Sequence, residues 1–269
     1  MKKRTAVVAA IVSLCLPSAA LSADRLTDRD VKSLIERIND GRDRFEGALD
    51  DNVKNGILRG ANGEVNVKNF LNDFQESIER LKDRMKPEYA ASSEAGTVLR
   101  QASQISNYFG RQPAGTRGES EWNRLATDLR ALAAAYGTDF PLPENATVRR
   151  IGDRELAASA DEVAKAADKV KQTLSNELKK DKTIDKTQRE TMVGEADQLA
   201  KDAKVLRDRV KDGDPSSAEA QRLLAQASKV QSLLGNYKAP MAAGALGGVR
   251  ARLLSIASAY GASWPGGTD

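Results

Sequence analysis

The amino-acid sequence predicts an all-α fold: a tandem duplication of an antiparallel four-helix bundle, with about eight helices in total. Three observations lead to this prediction. Apolar residues recur at helical spacing, alternating strand patterns are nearly absent, and the two halves of the chain resemble each other. Ala, Leu, Lys, Glu, Arg and Gln, which favour helices, dominate the periodic segments. Four amphipathic helices joined by short turns most simply form an antiparallel bundle.

The internal repeat consists of four matched segments that occur in the same order in both halves. Three of them lie 125 residues apart, namely DRDV at 28 with DREL at 153, RLKDRMK at 80 with VLRDRVK at 205, and RQASQI at 100 with AQASKV at 225. The fourth pair, AAAYG at 133 and ASAYG at 257, lies one residue closer. This ordered self-similarity predicts a duplication.

Each half contains four apolar stripes with a helical period. They cover about 31–49, 70–85, 98–109 and 122–136 in the first half, and 156–174, 199–210, 223–234 and 246–260 in the second. Asp28 is expected to cap the first helix. The openings Ser92-Ser93-Glu94 and Ser216-Ser217-Ala218-Glu219 are expected to start the third helix of each half. Segments such as RGANGEV and KDGDP are predicted to be turns.

The chain divides into four predicted parts. Residues 1–23 form a signal peptide, because a basic start is followed by the apolar run TAVVAAIVSLCLPSAA and then by small residues that suit cleavage. That run is shorter than the roughly 18 residues that span a membrane, and Pro17 interrupts it. Residues 24–142 form the first bundle, 143–150 a linker, and 151–269 the second bundle. We therefore expect an exported protein, periplasmic or extracellular in a bacterium, with no transmembrane anchor after cleavage.

The charge balance gives little reason to expect a nucleic-acid partner. The whole chain has 42 basic and 38 acidic residues, a net charge of +4. Three of the basic residues are Lys2, Lys3 and Arg4, so the chain without its signal carries about +1. Acids and bases alternate at helical spacing, as is typical of a solvated helix face. The single cysteine, Cys15, lies in the signal, so the exported chain has no disulfide and depends on its own core.

The sequence contains no histidine, and this excludes several kinds of chemistry. Ser-His-Asp and Cys-His triads, histidine-ligated zinc, the Glu-x-x-His pairs of di-iron bundles and histidine-ligated haem all need that side chain. The acidic stretch Asp50-Asp51-Asn52 lacks the alternating ligands of a calcium loop, and we expect a polar helix end there. The sequence assigns no catalytic, cofactor-binding or metal-ligating residue, and it predicts no cofactor.

Two tyrosines, Tyr136 and Tyr260, occupy equivalent positions, each before a glycine and an aromatic-proline pair. They could form a platform on which a ligand stacks, but a helix stop with Gly137 and Gly261 in the left-handed conformation is favoured. The halves differ in their aromatic content, with nine aromatic residues in the first and three in the second. The core of the second half is therefore expected to be thinner and less stable.

The pattern Trp-x-x-Leu-x-x-Asp-Leu-x-x-Leu-Ala-x-x-Tyr, which begins at Trp122 and ends at Tyr136, resembles a motif of uncharacterised bacterial exported helical-repeat proteins. The segments RFEGALDDNVKN and VKNFLNDFQESIERLKD resemble their upstream regions. In the second half Leu246 replaces the tryptophan and Arg252 the aspartate. Because such proteins have no established activity, the resemblance implies an exported helical repeat and no catalytic residue.

Three functions remain open at this point. The first is a non-enzymatic exported protein that acts by contacts with an unknown protein or a component of the cell envelope. The alternative is a carrier that holds a small apolar or amphipathic ligand within a bundle, most plausibly in the aromatic-rich first half. The third is an enzyme that uses carboxylates alone. The first is preferred and predicts no enzyme; the sequence assigns neither binding residues nor an oligomeric state.

Overall fold

The computed structural model describes residues 24–60, 63–112, 115–181, 184–237 and 239–264, and in this part of the chain the fold is all-α, as predicted. The predicted signal peptide, 1–23, lies outside the described residues. Within them, no helix is long and apolar enough to cross a membrane. The elements in chain order are α1 (Asp28–Ala48), α2 (Asp51–Lys54), β1 (Ile57–Gly60), β2 (Gly63–Asn66), α3 (Val67–Arg84), α4 (Ser92–Phe109), α5 (Glu119–Ala135), α6 (Asp153–Lys180), α7 (Lys186–Asp212), α8 (Ser217–Asn236), α9 (Pro240–Gly247) and α10 (Arg250–Ala259).

The described residues form ten helices rather than about eight, for two reasons. The short helix α2 and an antiparallel hairpin of β1 and β2 separate α1 from α3, where only a turn was predicted. In the second half, the last helix is divided into α9 and α10 around Gly248 and Val249, in a glycine-rich segment that weakens helix formation. The second half instead has longer first helices, since α6 and α7 contain 28 and 27 residues while α1 and α3 contain 21 and 18.

The helices pack in two groups, each with its own hydrophobic core. In the first group, α1 and α4 each contact both α3 and α5. In the second, α6 and α8 each contact α7, α9 and α10. One core runs from Val31 to Phe140 and the other from Ile151 to Trp264. The separation of the cores supports two bundles, and their origin by duplication stays a prediction.

The two cores differ in composition. In the first core, the ring centroid of Phe45 lies 5.1 Å from that of Phe109 and 5.3 Å from that of Trp122. Position 170, which is 125 residues after Phe45, is a fully buried valine in a core of mainly alanine, leucine and valine. Because an aromatic ring buries a larger area than a valine, the loss of Phe45 removes more packing than the loss of Val170.

Three helices start within one residue of the predicted positions 28, 92 and 216, but their caps differ from the prediction. Thr27, not Asp28, caps α1, and it forms a capping box with Asp30. The serines expected to open α4 and α8 make no capping hydrogen bond. The Ser92 hydroxyl instead accepts from the Arg150 backbone amide at 3.1 Å, and Ser216 shares a hydrogen bond of 2.7 Å with the Tyr260 hydroxyl. These serines serve tertiary contacts, which local sequence does not reveal.

The helix-stop interpretation of the two tyrosines is confirmed. Gly137 and Gly261 have φ angles of 68° and 59°, the left-handed conformation in which glycine is favoured. The Thr138 amide donates to the Ala133 carbonyl at 3.0 Å, and the Ala262 amide donates to the Ala257 carbonyl at 2.9 Å. Both preceding tyrosine rings are buried, so they do not form an exposed stacking platform.

The predicted linker, 143–150, contains no helix and lies against the first bundle. Just before it, the Leu142 amide donates to the Ser103 hydroxyl at 2.7 Å. Near its end the Arg149 amide donates to the Tyr136 carbonyl at 3.0 Å, and Val148 packs on the first core. These contacts fix the point at which α6 begins.

We expect Phe45→Ala to lower the free energy of unfolding by about 3–5 kcal/mol, because it removes a fully buried ring. The matched change Val170→Ala should cost about 1–2 kcal/mol, at about 0.8 kcal/mol for each buried carbon that is removed. Urea unfolding followed by circular dichroism measures both values. Equal losses at the two positions would contradict the difference between the cores.

We also expect the protein to lose stability in alkali through its two buried tyrosines. Burial raises the pKa of Tyr136 and of Tyr260. A raised pKa in the folded state stabilises the protein below the unfolded value of about 10, and this contribution is lost as the pH rises towards the folded value. Urea unfolding at about pH 8 and about pH 11 should show the decrease. The double variant Tyr136→Phe, Tyr260→Phe should show a smaller one; an identical decrease would rule out the tyrosines as its cause.

Candidate binding site at the junction of the two bundles

The first residues of α1 and α6 meet, and each accepts a hydrogen bond from the other. The Asp28 backbone amide donates to Oδ2 of Asp153 at 2.7 Å, and the Asp153 amide donates to Oδ2 of Asp28 at 2.9 Å. The two residues are 125 positions apart. A helix N-terminus carries partial positive charge and unsatisfied amides, so each carboxylate stabilises the start of the other helix.

Two arginines complete the junction with the same reciprocity. Arg25 donates to Oδ1 of Asp153 and to the Ile151 carbonyl, both at 2.5 Å. Arg150, which is 125 residues after Arg25, donates to Oδ1 of Asp28 at 2.9 Å and to the Leu26 carbonyl at 2.7 Å. The acceptor carbonyls of residues 26 and 151 are also 125 positions apart. Two guanidinium groups and two carboxylates therefore balance in charge.

Arg150 is the most buried of these four groups, with 2% of its side chain exposed. Burial lowers its pKa, the positive charge of Arg25 lowers it further, and Asp28 acts in the opposite direction. An arginine remains protonated despite such a shift. The junction thus contains a buried cation that depends on Asp28 for its compensating charge.

The backbones approach closely at Gly152, the residue that precedes α6. A Cβ atom at this position would lie 3.3 Å from Oδ2 of Asp28 and 3.8 Å from the Pro87 carbonyl oxygen. Its counterpart in the first half is Thr27, whose side chain caps α1. The Thr27 side chain therefore caps the start of α1. No side chain stands at the start of α6, because Asp28 and Pro87 of the first bundle lie close to Gly152.

A cleft of about 510 Å³ opens beside this junction, between the two bundles. Its apolar surface comes from residues of both bundles, including the buried side chains of Met85 and Val210. Five basic residues and three acidic residues also line it. The basic residues are Arg29, Lys32, Lys86, Arg154 and Lys211, and the acidic residues are Asp28, Asp153 and Asp161.

The acidic residues of the cleft are already engaged. Asp28 and Asp153 accept from the junction arginines and the helix amides. Asp161 forms ion pairs with Lys165 at 2.7 Å and with Arg207 at 3.0 Å, and these contacts lower the pKa of Asp161. Since the carboxylates are paired with groups outside or beneath the cleft, the basic residues dominate its accessible charge.

The two corresponding arginines of the cleft differ in their pairing. Arg154 forms an ion pair with Glu88. Arg29, its counterpart 125 residues earlier, faces Gly213, the counterpart of Glu88, and its Nη2 lies 3.6 Å from where a Cβ on that glycine would be. Within the described residues, no carboxylate lies within 4.0 Å of a charged nitrogen of Arg29, Lys32 or Lys211.

The backbone conformation at the end of α7 explains why position 213 is a glycine. It ends α7 with a φ of 73°, and the Asp214 amide donates to the Arg209 carbonyl at 3.0 Å. This left-handed position favours glycine over glutamate. The same helix stop therefore leaves Arg29 without the carboxylate that its counterpart has.

Other candidate chemistries find no comparable arrangement in the described residues. They contain no group of three or more potential metal ligands. Asp50, at the acidic stretch, caps α2 by accepting from the Val53 amide at 2.9 Å, which confirms the polar helix end. A second cleft, of about 420 Å³, lies along α6 and α7, and neither cleft is lined by the aromatic cluster of Phe45, Phe109 and Trp122.

The carboxyl groups with clearly shifted pKa values all shift in one direction. Every described carboxyl group whose pKa departs clearly from its usual value is shifted downward, whereas a general acid needs a raised pKa. The pKa of Asp197 has the largest shift, to about 2, mainly because of its hydrogen bond with Lys171 and also because of that with Lys201. The others are Asp30, Glu94, Asp161, Glu195 and Asp208.

The sequence assigned no binding residue, and the junction supplies the candidates that it missed. A signal was present, because residues 25–30 read RLTDRD and residues 150–155 read RIGDRE, which extends the matched DRDV and DREL segments to Arg25 and Arg150. No protein-family model matches the chain, and neither a curated protein nor a solved structure is significantly similar to it. The resemblance to exported helical-repeat proteins therefore stays a prediction.

We expect Asp28→Ala and Asp153→Ala each to lower the free energy of unfolding by about 1–3 kcal/mol, because each removes charge-assisted hydrogen bonds. The double variant should lose less than the sum, by about 0.5–3 kcal/mol, since the two side chains share one network. Urea unfolding of the four proteins measures this coupling. As a control, Asp28→Ala combined with Asp128→Ala, which breaks a half-exposed pair with Arg37, should be additive. Additive losses at 28 and 153 would show that the network is not cooperative.

Proposed function

We propose that this is a non-enzymatic exported protein, two related helical bundles in tandem, that acts by contact with another protein or with a component of the cell envelope. The contact site is the cleft at the junction of the bundles. The observation that carries this proposal is the group of basic side chains in the cleft, Arg29, Lys32 and Lys211, which form no ion pair within 4.0 Å in the described chain. Basic groups that are exposed beside an apolar surface favour an anionic partner.

Three features support contact rather than catalysis. The chain has no histidine. The clearly shifted carboxyl pKa values all move in the direction opposite to that of a general acid. The aromatic rings in the core of the first bundle pack against one another, and they do not line either of the two clefts described above.

The signal-like start of the sequence supports a location in the periplasm or outside the cell. A site formed by both bundles is also consistent with a tandem arrangement, because neither bundle alone contributes all of its walls. Met85 and Arg29 come from the first bundle, and Val210 and Lys211 come from the second.

A photoreactive residue placed in the cleft tests this function. Ala158 lines the cleft and is exposed, while Ala218 on α8 is exposed and lies outside it. In cells that export the full chain, light should produce a discrete cross-linked adduct from position 158 and none from position 218. Adding Lys32→Glu should reduce the yield about tenfold if the contact is worth about 1.4 kcal/mol.

The proposal is wrong if positions 158 and 218 give the same adducts or if neither gives one. It is also wrong in its choice of site if Lys32→Glu leaves the yield at position 158 unchanged. Circular dichroism of each variant checks that the helices remain folded.

A further inference from the structure

The junction divides the cleft into two corresponding halves. One half contains Arg154 on α6 and Lys86 after α3. The other contains their counterparts, Arg29 on α1 and Lys211 on α7. In the first half Arg154 contacts Glu88, two residues after Lys86. In the second half Arg29 lies beside Gly213, two residues after Lys211.

The first of these halves contains its own anion. The Glu88 carboxylate forms an ion pair with Arg154. This contact shows that the arrangement of an arginine and a lysine at this distance from the junction accommodates an anionic group. Because Gly213 has no side chain, the equivalent place beside Arg29 is not taken by a carboxylate.

The half with Gly213 also has one more basic residue that lines the cleft. Lys32 lies one helical turn after Arg29 on α1 and lines the cleft, whereas its counterpart on α6 is Ala157. Three basic residues therefore line this half of the cleft, against two in the other half. Asp212 and Asp214, which flank Gly213, do not line the cleft, and Asp214 pairs with Arg209 at 3.2 Å. A carboxylate would neutralise one of the three charges, while a phosphate monoester carries nearly two negative charges at neutral pH and three acceptor oxygens.

We propose that the place beside Gly213 binds a phosphate monoester group of a ligand whose apolar part lies on the cleft surface formed by Pro87 and Ala158. This inference rests on the proposed function, since it specifies the chemistry of the partner at the same cleft. Arg29 is the main contact, because a guanidinium donates two parallel hydrogen bonds to phosphate oxygens. Lys32 and Lys211 add charge from α1 and α7.

The same group could come from a soluble phosphate ester or from a lipid headgroup. Phenyl phosphate is the soluble probe, since it joins a monoester to an apolar ring, and benzoate is its carboxylate control. Vesicles of phosphatidylcholine with phosphatidic acid present the group on a lipid, and vesicles of phosphatidylcholine alone are their control. Titration calorimetry of the exported chain measures the soluble probe, and co-sedimentation measures the vesicles.

Gly213 offers a matched pair of variants. Asparagine and aspartate both tolerate the left-handed conformation, and they have nearly the same size. Gly213→Asp places a carboxylate beside Arg29, as Glu88 does beside Arg154, whereas Gly213→Asn adds the same bulk without charge. We expect Gly213→Asp to raise the dissociation constant about 10- to 100-fold and Gly213→Asn to change it less than about threefold.

Two further variants locate the site. Arg29→Gln should raise the dissociation constant about 10- to 100-fold. Arg222→Gln removes an exposed charge on α8, outside the cleft, and should have no effect. Glu88→Gln should release Arg154 and create a second, weaker site, so that the number of bound phenyl phosphate molecules rises from one towards two.

The outcomes are distinct. Saturable binding of phenyl phosphate, or of phosphatidic acid vesicles alone, supports the proposal and identifies the source of the group, provided that Gly213→Asp abolishes it and Gly213→Asn does not. Binding of neither probe, equal binding of benzoate, or equal effects of the two Gly213 variants overturns it. If a cross-linked adduct still forms at position 158 while no phosphate binds, the contact function stands and only the phosphate ligand is wrong.

Discussion

The exchange of carboxylates between two helix starts holds the two bundles of this protein in place. Asp28 and Asp153 are each the first residue of a helix, and each accepts the backbone amide of the other. Two carboxylates so close would repel each other in the absence of cations, and Arg25 and Arg150 supply the compensating charge. Removing any member leaves a mostly buried charge without its partner, which is more costly than the pair is stabilising.

Because this contact is reciprocal, the starts of α1 and α6 have equivalent positions in the junction. Differences between the two positions therefore come from differences in sequence. Three such differences lie at the junction. Thr27 caps one helix, while Gly152 makes room for the opposite bundle at the other. The cleft beside the junction has the other two differences: a glycine replaces a glutamate, and a lysine replaces an alanine. Both of these changes favour positive charge in the same half, and Asp212 and Asp214, which correspond to Pro87 and Tyr89, act in the opposite direction beside Gly213.

Local physical chemistry decides which parts of this structure the sequence could predict. Helical periodicity and the glycine stops at 137 and 261 act over a few residues, and the all-α fold and these two helix ends followed from them. The hairpin of β1 and β2 was missed because its strands have four residues each, too few for a clear alternating pattern. The partners of Arg25 lie more than 120 residues away, and only the folded chain brings them together.

The burial of a cation decides what its charge can do. Arg150 is buried and finds acceptors within the protein, so its charge serves the junction. Arg29 is exposed, and an exposed unpaired arginine costs a protein little stability, so folding does not require a partner for it. Its guanidinium donors are left to water or to a ligand. A dianion gains most from replacing that water where an apolar surface lies beside it, as Pro87 and Ala158 do in this cleft. The same symmetric junction therefore places an ion-paired arginine in one half of the cleft and an arginine without an ion pair in the other half.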